Sequence, residues 1–144
     1  MSGSPVQAVV DALKAVLDAD DTLGALVTGI YGYVPGATRA TFPYLVLGRR
    51  SRANDSGAMQ RVGGHVTVQF DVWSDHKGPS ETHTILNRIA WLLERAAVNV
   101  SGYEFVTGSL TCEFEEVFDE PDADSPERML MHGVQRWVCE VHAR

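Results

Sequence analysis

Cysteine is scarce in this 144-residue chain: Cys112 and Cys139 are the two it has. Disulfide scaffolds of this size carry more, so the pair reads as two small apolar residues in a reducing compartment. One geometric qualifier applies. A hairpin of 110–119 and 130–142, symmetric about 125 and 126, would set the two cysteines opposite each other, where a cross-strand bond is sterically conceivable. A basic excess is also missing. Twelve Lys and Arg face 19 Asp and Glu, a net charge of −7, which argues against a dedicated nucleic-acid binder. No apolar run approaches the about 18 residues of a membrane span. The opening MSGSPVQAVVDALKAVL lacks a basic leader and is interrupted by Asp11 and Lys14, so it does not read as a signal peptide. Thirteen glycines and six prolines are too few for a low-complexity chain. With 44% hydrophobic and 22% charged residues, the composition fits a single globular domain spanning 1–144.

Catalytic and ligand motifs are missing too. There is no HExxH, nucleophile elbow, Walker loop or dinucleotide fingerprint. The five histidines are His65, His76, His83, His132 and His142. Asp75, His76 and His83 come nearest to a metal set, yet His76 precedes the helix that carries His83, so solvent-exposed polar residues are expected. Cys112 falls mid-strand in an alternating pattern, an unsuitable place for a nucleophile. No catalytic residue, metal or cofactor is expected, and the chain is not read as an enzyme.

The chain itself is well punctuated. Ser4 caps and Pro5 opens a first helix, with Val6, Val9, Val10, Leu13, Val16 and Leu17 at helical spacing. Thr22 is a candidate cap for a short turn through Leu23, Leu26 and Val27. A β-like piece at Ile30–Val34 precedes Pro35-Gly36. Pro43 introduces the apolar strand Tyr44–Leu47, and 49–63 reads as a long hairpin loop. The clearest strand is 64–74, where Val66, Val68, Phe70 and Val72 alternate with polar residues. Pro79 opens a second long helix, to about Ala97, with Ile85, Leu86, Ile89, Leu92 and Leu93 on one side. Strands at 110–118 and 130–142 flank an acidic, proline-containing stretch. The fold class expected is α+β: a mainly antiparallel sheet of four to five strands with two long amphipathic helices on one face.

Surface character is the remaining signal. At 100° per residue, Trp91 points away from its helix's apolar stripe and shares the outer face with Thr84, Asn87, Glu94 and Arg95. Either it belongs to a contact surface, where Trp is enriched, or another part of the chain covers it. Charge is segregated as well. Arg49, Arg50, Arg52 and Arg61 crowd one stretch. Residues 113–127 hold Glu113, Glu115, Glu116, Asp119, Glu120, Asp122, Asp124 and Glu127 with no Lys or Arg. Two solvated loops are one reading. The other is complementary patches that meet between subunits, and such a heterologous contact gives a ring or a filament.

Several strings resemble one family. They are Leu17-Asp18-Ala19-Asp20, Leu23-Gly24-Ala25-Leu26-Val27, Ile30-Tyr31, Val34-Pro35-Gly36 and Phe42-Pro43-Tyr44-Leu45-Val46-Leu47-Gly48. The most specific is Val66-Thr67-Val68-Gln69-Phe70-Asp71-Val72-Trp73-Ser74, with His132-Gly133-Val134-Gln135-Arg136-Trp137 closing the set. Together they resemble the phage tail-terminator, or tail-completion, family and its gene transfer agent homologues. The resemblance implies a virion protein at the head-proximal end of the tail, assembled in the host cytoplasm. It implies a homo-oligomer, a hexameric ring when assembled and either a ring or a monomer in isolation. Its partners would be the major tail tube protein and the head–tail connector, with DNA passing through without specific binding and no membrane contact. Trp91, the four arginines, Glu115, Glu116, Asp119 and Glu120 are the candidate interface residues. The alternatives are another connector or minor tail component, or a small ligand-binding protein or enzyme, which a deep apolar pocket would favour.

Overall fold

Ser4 Oγ accepts hydrogen bonds from the Val6 and Gln7 amides, and Pro5 occupies the first turn of helix α1, Pro5–Asp18. Both features are the expected ones, because a helix leaves its first amides without internal partners. A computed structural model describes residues 4–32, 41–53 and 63–144. Its further elements are α2 (Asp21–Leu26), β1 (Ile30–Tyr31), β2 (Tyr44–Ala53), β3 (Gly63–Ser74), α3 (Ser80–Arg95), β4 (Tyr103–Phe105), β5 (Thr111–Asp122) and β6 (Ser125–Ala143). The cap of α2 is Asp20, whose carboxylate takes the Leu23 amide at 2.7 Å. Thr22, the expected cap, lies inside the helix. Asp20 does a second job there: Arg88 of α3 grips its two oxygens at 2.8 and 2.9 Å. That grip lowers the Asp20 pKa despite partial desolvation.

The fold class is the expected α+β, and among the described residues the sheet has six strands. Their order is β1-β2-β3-β6-β4, with β5 also paired to β6. Among the described residues only the β1–β2 pair is parallel. The 19-residue β6 is the spine, holding β3 along one side and β5 and β4 along the other. β4 was not expected, because three residues are too few to show a period. Tyr103 nonetheless roots it, with 1% of its surface exposed.

Two segments read as loop are strand. β2 continues through Arg49–Ala53 because β3 supplies partners for it: Arg50 faces Val68, and Arg52 faces Val66. A bulge between Leu47 and Arg50 interrupts the ladder. Such a bulge frees backbone carbonyls, and the Arg50 guanidinium binds those of Leu47 at 2.7 Å and Gly48 at 3.2 Å. At the other end, β5 and β6 run to a two-residue turn at Ala123 and Asp124. The acidic side chains hid this hairpin because they lie at a sheet edge and are mostly exposed. Its register also differs from the expected symmetry: Cys112 faces Trp137, not Cys139. Both cysteines are free, Cys112 exposed and Cys139 buried.

Helices α1 and α3 cover one face of the sheet. Val9, Val10, Leu13 and Leu17 meet Leu45, Leu47, Val66, Val68, Phe70, Val72 and Trp137 in one cluster with Ile85, Leu86, Ile89 and Leu93. Gly133 sets how closely α3 approaches. A Cβ there would run into the Thr82 methyl and come within 3.1 Å of Leu86 Cδ1. Beside it, fully buried Gln135 is well satisfied. Its oxygen accepts from Trp137 Nε1 at 2.8 Å, and its amide donates to the Leu86 carbonyl and to Glu115. A buried amide needs such partners, since leaving it unmatched would cost stability.

Candidate functional site

The distinctive groups of this protein sit on open surfaces. Trp91 lies on the outer face of α3 and is 46% exposed. The guanidiniums of Arg88 and Arg95 stand 4.4 and 4.6 Å from its ring centroid. Arg95 also donates to the Trp91 carbonyl at 3.1 Å. These contacts follow from i, i+3 and i, i+4 spacing around residue 91. They flank the indole while leaving much of the residue open. Thr84, Asn87, Glu94 and Arg95 share the exposure.

The acidic residues divide into two groups. Glu113, Glu116 and Asp119 are exposed along β5. Glu115 accepts from buried Gln135 at 2.7 Å, and Glu120 sits 3.1 Å from His132 Nδ1. The arginines divide as well. Arg50 spends its guanidinium inside the chain, on Gln7 Oε1 and the carbonyls of Gly32, Leu47 and Gly48. Arg49 and Arg52 occupy β2, and their side chains, like the whole of Arg61 and the Val34-Pro35-Gly36 string, lie outside the described residues. The structure thus puts the arginine-bearing β2 and the acidic β5 two strands apart, with β3 and β6 between them.

The helix-free face of the sheet carries a feature that the sequence did not disclose. Tyr44 faces Trp73, Trp73 faces His132, and His132 faces Phe118. Four rings therefore cross β2, β3, β6 and β5 in one row. The His132 imidazole stacks on Trp73, with centroids 3.9 Å apart, and lies 4.9 Å from Phe118. Its Nε2 is 2.8 Å from Asp71 Oδ1. Burial disfavours its charged form, but the Asp71 and Glu120 carboxylates outweigh that and raise its pKa. Each of these residues sits in a separate strand, so only the strand register could have predicted the row. One further string of carboxamide and guanidinium runs beside it: Gln69 donates to Asp71, and Arg136 donates to Gln69.

Asp75, the carboxylate nearest to a metal set, is held by Arg128 at 2.8 Å. Among the described residues no three His, Cys, Asp or Glu side chains are placed to share a metal ion. An open groove beside the start of α3, lined by Ala25, Leu26, His76, Glu81 and Thr84, mixes polar and apolar walls. Glu81 in that groove already accepts from Ser74 Oγ at 2.5 Å. Among the described residues no helix is long and apolar enough to cross a membrane.

These observations define the class first: an α+β domain whose unusual groups lie on surfaces rather than converging in a cleft. The family follows from comparison. The chain belongs to the tail completion protein gp17 family, whose model matches residues 11–144, and its class is therefore that of structural proteins of the phage tail. A component of the virion of a native gene transfer agent particle has a similar fold, with a TM-score of 0.78 and 20% identity, covering 99% of this chain and 100% of that one. The gp17 protein of bacteriophage SPP1 is similar at a TM-score of 0.56 and 18% identity, covering 94% of this chain and 89% of that one. At such identities the likeness is one of fold. No curated protein matches the sequence.

Proposed function

We propose that this protein caps the tail tube as a ring, ends tube polymerisation and joins the tail to the head connector. The observation that carries the reading is the family match over residues 11–144. The end-to-end likeness to a component of a gene transfer agent virion supports it. Capping needs no chemistry. A ring seated on the last tube layer covers the surface that the next tube subunit would occupy. Six copies form the ring, at the head-proximal end of the tail, after the chain is made in the host cytoplasm. The tube protein meets one side of the ring and the connector the other. Trp91 belongs to these contacts, as an anchor of the kind that dominates protein interfaces. DNA passes through without specific binding, and a net charge of −7 per chain keeps phosphate from sticking to the lumen.

Electron microscopy of particles made without this gene tests the reading. Abnormally long or head-free tails are expected. Tails of normal length attached to heads would overturn it.

A further inference from the structure

Strand β5 is an edge. It pairs with β6 on one side, and among the described residues no strand pairs with its other side. The amides and carbonyls that alternate residues of such an edge turn outward are a template for another strand. The six residues from Thr111 to Glu116 are all exposed. Three carboxylates, Glu113, Glu116 and Asp119, are exposed along it, and against them the guanidinium of Arg136 stands 4.9 Å from the Phe114 ring, so acidic groups outnumber basic ones along the edge. Two copies of β5 therefore repel each other, because like charges opposite one another destabilise a strand pair. That repulsion blocks a two-fold dimer through this edge and leaves it open to a strand of opposite sign.

The chain carries such a strand at the other side of the sheet. β1 pairs only with Leu45 and Val46 of β2. Among the described residues no strand pairs with Gly48–Ala53 on that side. This stretch reads Gly-Arg-Arg-Ser-Arg-Ala and contains no acidic residue. The acceptors of Arg50 are neutral oxygens, so its charge remains, and the stretch carries three arginines and no carboxylate.

We propose that the edge of β5 adds as a strand to the Gly48–Ala53 end of β2 in a second copy of this chain. The sheet of one subunit then runs on into the next. The two edges differ and lie on opposite sides of the sheet, so the contact is heterologous, the kind that a closed ring repeats. Backbone hydrogen bonds supply the adhesion, and the charge pattern selects the partner. The inference rests on the ring of the proposed function and specifies how its subunits join.

Two charge-reversed variants of the full chain test it. One carries Glu113→Arg, Glu116→Arg and Asp119→Arg, and it spares Glu115 and Glu120, which hold Gln135 and His132. The other carries Arg49→Glu and Arg52→Glu. Each is checked for folding by circular dichroism, and Glu113→Arg with Glu116→Arg replaces the first if the triple variant does not fold. Ring formation is read by native mass spectrometry and by electron microscopy on tail tubes of the same particle. Each variant alone now apposes like charges and should assemble at least about tenfold less well than the wild type. An equal mixture should restore rings, because alternating copies make every contact complementary again. If either variant assembles alone as the wild type does, or the mixture fails, the strand contact is overturned and the ring stands. If the wild type forms no ring even on tube ends, the ring reading falls and takes the contact with it.

Discussion

The His132 imidazole lies nearly parallel to the Trp73 indole, 15° between planes with centroids 3.9 Å apart, while Asp71 and Glu120 bind its two nitrogens. One ring thereby joins three strands: Asp71 in β3, His132 in β6 and Glu120 in β5. The arrangement favours the doubly protonated imidazolium, which donates to both carboxylates. It ties the hairpin of β5 and β6 to β3 through side chains.

Its pH dependence has a definite sign. The folded pKa of His132 is raised above its usual 6.5, since the Asp71 and Glu120 bonds outweigh the opposing effect of burial. The stability that this charge contributes is complete below the unfolded value and is lost as pH rises through the folded one. His132→Gln should therefore lower the thermal midpoint most at about pH 6. The gap to the wild type should shrink at higher pH. Melts of both proteins across that range check this, and a gap that widens with rising pH would contradict it.

The cysteines give a simpler test. Cys139 is buried in the core, which pushes its thiol up to about 12. Cys112 is exposed, although burial of part of its side chain also raises its pKa. A thiolate is the reactive form, so both groups are slow, and Cys139 is shielded as well. A thiol reagent at mildly alkaline pH should label one cysteine in the native protein and two in denaturant. Two native labels, or none without reductant, would mean that the hairpin register differs.

Gly133 and Thr82 predict a packing effect. Adding a methyl at Gly133 overfills the seam between β6 and α3, where the Thr82 methyl and Leu86 stand. Gly133→Ala should cost about 1–3 kcal/mol in urea unfolding. Combining it with Thr82→Ser removes the colliding methyl and should recover much of that loss. Thr82 is suited to this change, because its buried hydroxyl has no hydrogen-bond partner among the described residues. Equal stability for the single and double variants would show that the helix simply shifts.

These cases show which information a sequence exposes. The stripe of α1, the alternation of Val66–Val72 and the outward placement of Trp91 are periodic within one element, and periodicity is local. Arg49–Ala53 and Asp119–Asp122 look like loop because their charged residues mask a strand. They extend only because β3 and β6 supply partners. The row from Tyr44 to Phe118 depends on three strand registers at once, and a shift of one residue would turn its members to opposite faces. Arg50 shows the same limit at a candidate site residue. Its charge is plain in the sequence, but its commitment to the Leu47 and Gly48 carbonyls exists only once the bulge has formed.

Trp91 separates fold from assembly. The residue is 46% exposed, and its ring meets the guanidiniums of Arg88 and Arg95 and is not part of the core cluster. Trp91→Ala should therefore change unfolding free energy by no more than about 1 kcal/mol. Trp137, 1% exposed and bonded to Gln135, is the contrasting control: Trp137→Ala should cost about 3–5 kcal/mol. If Trp91 anchors a subunit or tube contact, its alanine variant stays folded and monodisperse yet no longer caps tail tubes at wild-type concentration. Pull-down on purified tubes reads that loss directly. A folded Trp91→Ala protein that caps tubes normally would remove the residue from the interface. A variant that unfolds would place the indole in the fold instead.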